Sequence, residues 1–206
     1  MSQPDYQGAI AFIVKRLEEE LSPSLTYHSL YHTVEDVLPA ARQLAALIGL
    51  SEQDKKLLEV AAAYHDAGFL IQFREHELAG GQIAQKFLPQ FGFSDEAIRT
   101  VAGMIMATRL PQTPHTLLEE ILADADLDSL GREDFFTRGD LLREEQSLRG
   151  EKATDEEWYS FQVQFLRSHR YFTQAARSLR DEGKKQHLSI LRERLENLRN
   201  LKEHTK

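Results

Sequence analysis

The sequence predicts an all-α protein, and three observations carry that expectation. Apolar residues recur at three- and four-residue spacing through nearly the whole chain. Ser or Thr residues suited to opening a helix precede several of these stretches, and glycines close them. No β-rich run, internal repeat or low-complexity segment interrupts the pattern. With 206 residues, 41% hydrophobic and 28% charged, the chain has enough apolar material for one globular domain, with or without a helical extension.

Taken in order, residues 5–21 place Ile10, Ile13, Val14, Leu17 and Leu21 on one stripe. The segment SPSLTY breaks it, and the next helix is expected from about His28 to Ile48, where Gly49 ends it. Ser51 with Asp54 resembles a capping box and opens a helix that carries His65-Asp66 near its end. GFLIQFREHE reads as a connecting loop into a helix from about Glu77 to Phe91. Ser94 caps a helix running to about Arg109, and the two prolines of LPQTPH demand a loop. Residues 116–130 form another helix, closed by Gly131. Thr154 with Glu157 makes a capping box for EEWYSFQVQFLRS, whose Trp158, Phe161 and Phe165 are expected in the core. From about Thr173 to His204 a charged amphipathic helix carries Leu188, Leu191, Leu195 and Leu198.

Composition narrows the chemistry. There is no cysteine, so disulfides and thiolate sites are excluded and any metal must be held by His, Asp, Glu or water. MSQPDYQGAI lacks a basic region followed by an apolar run, and no apolar run approaches a membrane span. The expectation is a cytoplasmic protein with no membrane partner. A formal net charge of −8 argues against general nucleic-acid binding, which needs a basic surface. It leaves a small anionic substrate open, because a local metal can outweigh the global charge.

The residues that could carry chemistry are His28, His32, His65, Asp66, His76, Glu77, His115, Asp124 and Asp126. His65-Asp66 follows a helix that turns small and apolar, AAAY, where an ionised carboxylate is costly unless it is paired or metal-bound. A divalent cation accepts a carboxylate and imidazoles together. In YHSLYHTVEDV the i, i+4 spacing places His28 and His32 on one helix face. In EEILADADLDSLG the carboxylate of Asp126 borders the apolar face of Leu118, Ile121 and Leu122. Each group has a plainer explanation as a solvated polar face or a helix-end residue; Glu77 would then complement a helix dipole, and His115, after Pro114, would be a surface histidine. Arg74 and Arg109 are the basic residues nearest these groups in sequence, and either could hold a phosphate bidentately.

Together these residues resemble the HD superfamily of metal-dependent phosphohydrolases over roughly residues 25–135: a His, an adjacent His-Asp and a distant Asp, all on helices. YHSLYHTVEDV also resembles the corresponding stretch of class I cyclic-nucleotide phosphodiesterases, with Ser29 where those have Asn. The whole chain looks like small bacterial predicted HD hydrolases, which share segments like REHELAGG and DADLDSLG.

The leucine stripe of the last helix, too narrow for an independent core and too apolar to be left in water, implies that the C-terminal helical extension over 151–206 packs on the domain or on a partner chain, the latter as a homodimer. The resemblance implies an HD-domain helical bundle, placed over residues 1–150. It implies His32, His65, Asp66 and either Asp126 or Asp124 as ligands of a divalent ion, with Mn, Mg, Fe, Zn, Co and Ni left open, and one ion or two. It implies His28 as general acid and Asp66 or Glu77 as orienting groups for water. Arg74, His76 and Arg109 are candidate substrate contacts, and the substrate is a small phosphate ester, expected to be a nucleotide. Two rival readings are a di-iron oxygenase, which needs His76 and His115 to converge, and a nucleotide-binding regulator whose metal site does not turn over.

Overall fold

The computed structural model describes residues 3–203, with side-chain placement to residue 202; His204 lies outside the described residues. Among the described residues there are nine α-helices, short 3₁₀ and π turns, and no strand. The chain forms two compact units, Met1–Asp128 and Ser129–Lys206.

In the first unit, α1 spans Tyr6–Glu20 and buries Ala9, Ile13 and Leu17. Its N-terminus is capped by Asp5, which accepts from the Gly8 N–H at 2.8 Å. Helical structure then resumes at Leu30, so His28 sits in the bent segment ahead of the helix and not on its face. The expected uninterrupted helix from His28 to Ile48 is corrected in a second way. Residues His32–Val37 form a π-helical turn before α2, Leu38–Ile48. Gly49 ends α2 at φ 78°, its N–H bonding Ala45 O at 3.1 Å.

α3, Glu52–Tyr64, opens on Ser51, whose hydroxyl accepts from the Asp54 N–H. Ala61, Ala62 and Ala63 are fully buried, which lets α3 pack against α1, α2, α5 and α6. The segment expected as a plain loop contains a 3₁₀ turn, Ala67–Leu70. α4 is His76–Phe87, with a 3₁₀ turn Leu88–Phe91 carrying Pro89 in place of its expected last turn. α5, Asp95–Ala107, and α6, Leu117–Asp126, open on Ser94 and Thr116. α6 stops short of the expected residue 130, and a 3₁₀ turn, Asp128–Gly131, follows.

In the second unit, α7 spans Phe135–Leu148, a helix the sequence pattern does not reveal. Its buried positions are Phe135, Arg138 and Glu145, so its inward stripe is mostly polar. α8, Asp155–Ser168, has the complete Thr154–Glu157 capping box. Trp158 is buried, but Phe161 is 46% exposed, contrary to its expected core position. Phe161 instead stacks along the helix surface between Trp158 and Phe165, at 5.6 and 6.1 Å. α9, Gln174–Glu203, packs against α8 and buries Leu191 and Leu195. Among the described residues no helix is long and apolar enough to cross a membrane.

Candidate metal centre

The first unit brings together the end of α3, the π turn before α2, the C-terminus of α6 and the N-terminus of α4. α3 ends at Tyr64, and the next two residues, His65 and Asp66, point back into the core, 1% and 4% exposed. Gly68 allows the following turn to lie against α4: a Cβ there would come within 1.8 Å of His76 O. That close approach accompanies a distance of 3.6 Å from His76 Nε2 to Asp66 Oδ1, and the same Nε2 lies 3.6 Å from Oε1 of its neighbour Glu77. The π turn inserts one residue per turn relative to an α-helix, and His32 Nδ1 faces Asp36 Oδ2 at 3.4 Å.

The donor atoms converge. His32 Nε2 lies 3.3 Å from Asp126 Oδ1 and 3.9 Å from Asp66 Oδ2. His65 Nε2 lies 3.2 Å from Asp66 Oδ2 and 3.5 Å from Asp126 Oδ1. His32, His65 and Asp66 offer atoms that all lie within 4.8 Å of one another. Donors about 2.1 Å from one ion stand roughly 3.0–3.4 Å apart in tetrahedral or octahedral arrangements, so the observed spacing suits a shared cation.

Two further observations fit a metal. His65 Nδ1 lies 2.8 Å from Ala62 O. A carbonyl only accepts, so Nδ1 carries the proton and Nε2 presents a lone pair to the centre. That same Nε2, together with Asp66 Oδ2, is buried without a hydrogen-bond partner, which is costly unless something else binds it.

Without a cation, protons must balance the buried carboxylates. Burial pushes the His32 imidazole down, yet hydrogen bonds to Asp126 and Asp36 and the charges of Asp66 and Asp126 overcome it and raise its pKa to about 9. Burial likewise opposes protonation of His65, and Asp66 and Asp126 override it, against the repulsion of His32. Burial would raise Asp66, but His65, His28 and His32 hold it well below the usual carboxylate range.

The expected residues divide as follows. His28 closes on the cluster through its ring, 6.1 Å from that of His32 and 6.0 Å from that of His76, although it does so from a bend and not by helical spacing. Glu77 is 8% exposed beside His76. Of the two aspartates on α6, Asp126 supplies the oxygen facing His32 and His65; Asp124 is fully buried. Arg74 is exposed. Arg109 pairs with Glu75 at 3.6 Å and, with His115, lines a surface cleft of about 590 Å³. His115 is exposed, its backbone N–H bonding Glu119, and it is outside the cluster. Two contributors carry no expectation from sequence. Asp36 is signalled only by its position four residues after His32. Phe69 lies in an apolar run with nothing to single it out.

Residues 30–129 match the HD domain family model. A predicted HD superfamily hydrolase from an uncultured Thermotogales bacterium is similar in structure, with a TM-score of 0.62 and 18% identity, covering 95% of this chain and 94% of that one. At that identity the likeness shows the fold. No curated protein matches the chain. His32, His65-Asp66 and Asp126 all fall inside the matched residues and around one buried point, and it is over residues 30–129 that the chain matches an HD domain.

Proposed function

We propose that the HD domain is a metal-dependent phosphohydrolase that cleaves a phosphomonoester or phosphodiester bond in a nucleotide. The observation that carries the reading is the buried meeting of His32 Nε2, His65 Nε2 and the carboxylates of Asp66 and Asp126, with His65 Nε2 and Asp66 Oδ2 otherwise unpartnered. A divalent ion held there supplies Lewis-acid polarisation and activates water.

The chain's own groups do the rest. Ala62 O fixes the tautomer of His65, and Asp36 orients His32. Asp66 Oδ1 and Glu77, on the His76 side, accept hydrogen bonds from the attacking water and orient it. His28 gives its proton to the leaving oxygen. Arg74 and Arg109, exposed beside the N-terminus of α4, contact the substrate, with Arg109 exchanging Glu75 for phosphate. Asp124, fully buried on the same helix, is the alternative to Asp126 as the fourth ligand. The nucleotide rests on the resemblance of YHSLYHTVEDV to the phosphodiesterase stretch.

A second ion has one specific observation in its favour. Asp66 directs Oδ2 to His65 and Oδ1 to His76, so Asp66 and His76 are the residues that would hold it. The oxygenase alternative also needs His115, which is on the surface.

Elemental analysis of the purified protein, with a panel of nucleotide and phosphodiester substrates assayed with and without chelator, tests the proposal. Metal-dependent phosphate release is expected. Retained metal with nucleotide bound but uncleaved would replace it with the regulator reading, and iron with visible-region absorbance would favour the oxygenase.

A further inference from the structure

One aromatic residue, Phe69, has no place in the chemistry above, yet it touches both His28 and His76. The Phe69 ring lies 4.0 Å from the His76 ring at 19°, a stacked pair, and 4.6 Å from the His28 ring at 33°. His28 and His76 are themselves 6.0 Å apart. Phe69 is 9% exposed, in the 3₁₀ turn Ala67–Leu70 that directly follows the His-Asp pair.

Two features make this contact directional. Gly68, next to Phe69, meets α4 so closely that a Cβ would fall 1.8 Å from His76 O and 2.8 Å from Gly80 N. The turn carrying Phe69 and the helix carrying His76 therefore cannot slide apart without opening a tightly packed backbone contact. His28 also meets Tyr27 edge-on, ring centroids 4.8 Å apart at 80°, so the imidazole is in contact with the rings of both Tyr27 and Phe69. His28 comes from a bent segment and not from a helix, which leaves its direction to be set by its neighbours.

We propose that Phe69 is a positioning residue: its ring, in contact with both, sets the orientation of the His28 and His76 imidazoles at the metal centre. For His28 this rests on the acid role given above; for His76 it rests only on geometry. A flat ring is required, because an aliphatic side chain of similar volume fills the space without fixing the plane of either imidazole.

Phe69→Leu and Phe69→Tyr in the full chain test this. With cobalt(II) added as the probe, proton resonances of histidines near the ion are shifted by amounts that depend on their position and orientation. In Phe69→Leu the His28 and His76 resonances should move while those of His32 and His65 stay, and Phe69→Tyr should restore the wild-type pattern. Should Phe69→Leu fail to fold, Phe69→Met carries the same comparison. Turnover of a phosphodiester with an alkyl leaving group should fall about 10²-fold, the scale for misplacing a reacting group by about an ångström, and turnover of a nitrophenyl diester should fall less. Unchanged His28 and His76 resonances, or equal movement of all four histidines, would overturn the proposal, the second result marking Phe69 as an ordinary core residue. An equal kinetic loss on both esters would overturn its His28 half. If the wild-type protein cleaves neither ester, the phosphohydrolase reading fails, and the cobalt spectra still decide whether Phe69 positions the two rings.

Discussion

At the scale of single residues, the two histidines of the YHSLYH stretch should separate on mutation. His32→Ala removes a proposed ligand, so metal content and activity should fall together. His28→Ala should keep the metal and cost roughly 10²–10⁴-fold in turnover, the usual range for one acid–base group. That loss should shrink on a nitrophenyl ester, whose leaving group needs little protonation; metal loss in His28→Ala would instead make His28 a ligand. The charge state of His32 yields a pH prediction. Its pKa stands at about 9 in the folded protein, against 6.5 for an ordinary imidazole. In the metal-free protein the ion pairs of protonated His32 therefore add stability that is fully present below pH 6.5 and lost as pH rises through about 9. A divalent ion needs the neutral ring and must displace that proton. Metal affinity should therefore rise with pH up to about 9, with proton release visible in calorimetric titrations run in buffers of different ionisation enthalpy. Affinity independent of pH from 6.5 to 9 would contradict the raised pKa of His32 in the metal-free protein.

At the scale of elements, the turn after His65-Asp66 and the N-terminus of α4 behave as one piece. Gly68→Val puts a branched side chain where a Cβ alone would lie 1.8 Å from the His76 carbonyl. It should cost at least the roughly 1–3 kcal/mol typical of overpacking, read by chemical denaturation, with the backbone of α4 displaced from Asp66. The same substitution at Gly49 meets no atom within 4 Å, but its φ of 78° strains any side chain there, so the two glycines are needed for different reasons. In the second unit, Thr154→Ala breaks a cap whose hydroxyl accepts from Glu157 N–H and whose backbone N–H bonds Glu157 Oε2 at 2.8 Å. A loss of about 1 kcal/mol is expected, seen as a lower denaturation midpoint with metal content unchanged.

At the scale of the whole molecule, ligand linkage and the last helix decide stability. A chelator should lower the melting temperature, because an ion that binds only the folded state stabilises it by mass action; restoring the ion should reverse the change. α9 buries Leu191 completely and leaves Leu195 8% exposed, while Leu201 is 67% exposed. We propose, as the leucine stripe suggests, that this helix packs on the domain or on a second copy of the chain. Deleting residues 184–206 should then lower the melting temperature or halve the mass in solution, and a truncated protein with both unchanged would contradict it.

Much of this protein is legible in its sequence for a physical reason: helix periodicity and capping are local. Ser51, Ser94, Thr116 and Thr154 each open a helix where the pattern places one, and Gly49 closes α2. The order His32, His65-Asp66, Asp126 survives in one buried cluster. α7 is hidden from the pattern because its buried stripe includes Arg138 and Glu145, which an apolar period cannot detect. The helix expected at His28 begins later, with His28 held by rings from distant parts of the chain, Phe69 and His76, and tertiary contact overrides local propensity. Which aspartate of DADLD faces the histidines depends on where α6 stops relative to α2 and α3, and the spacing of acidic residues along one segment carries no information about that. By itself the sequence determined most of the helices and the order of the candidate ligands. Only the tertiary structure decided which oxygen meets which imidazole, because atoms up to 94 residues apart come within bonding distance through packing alone.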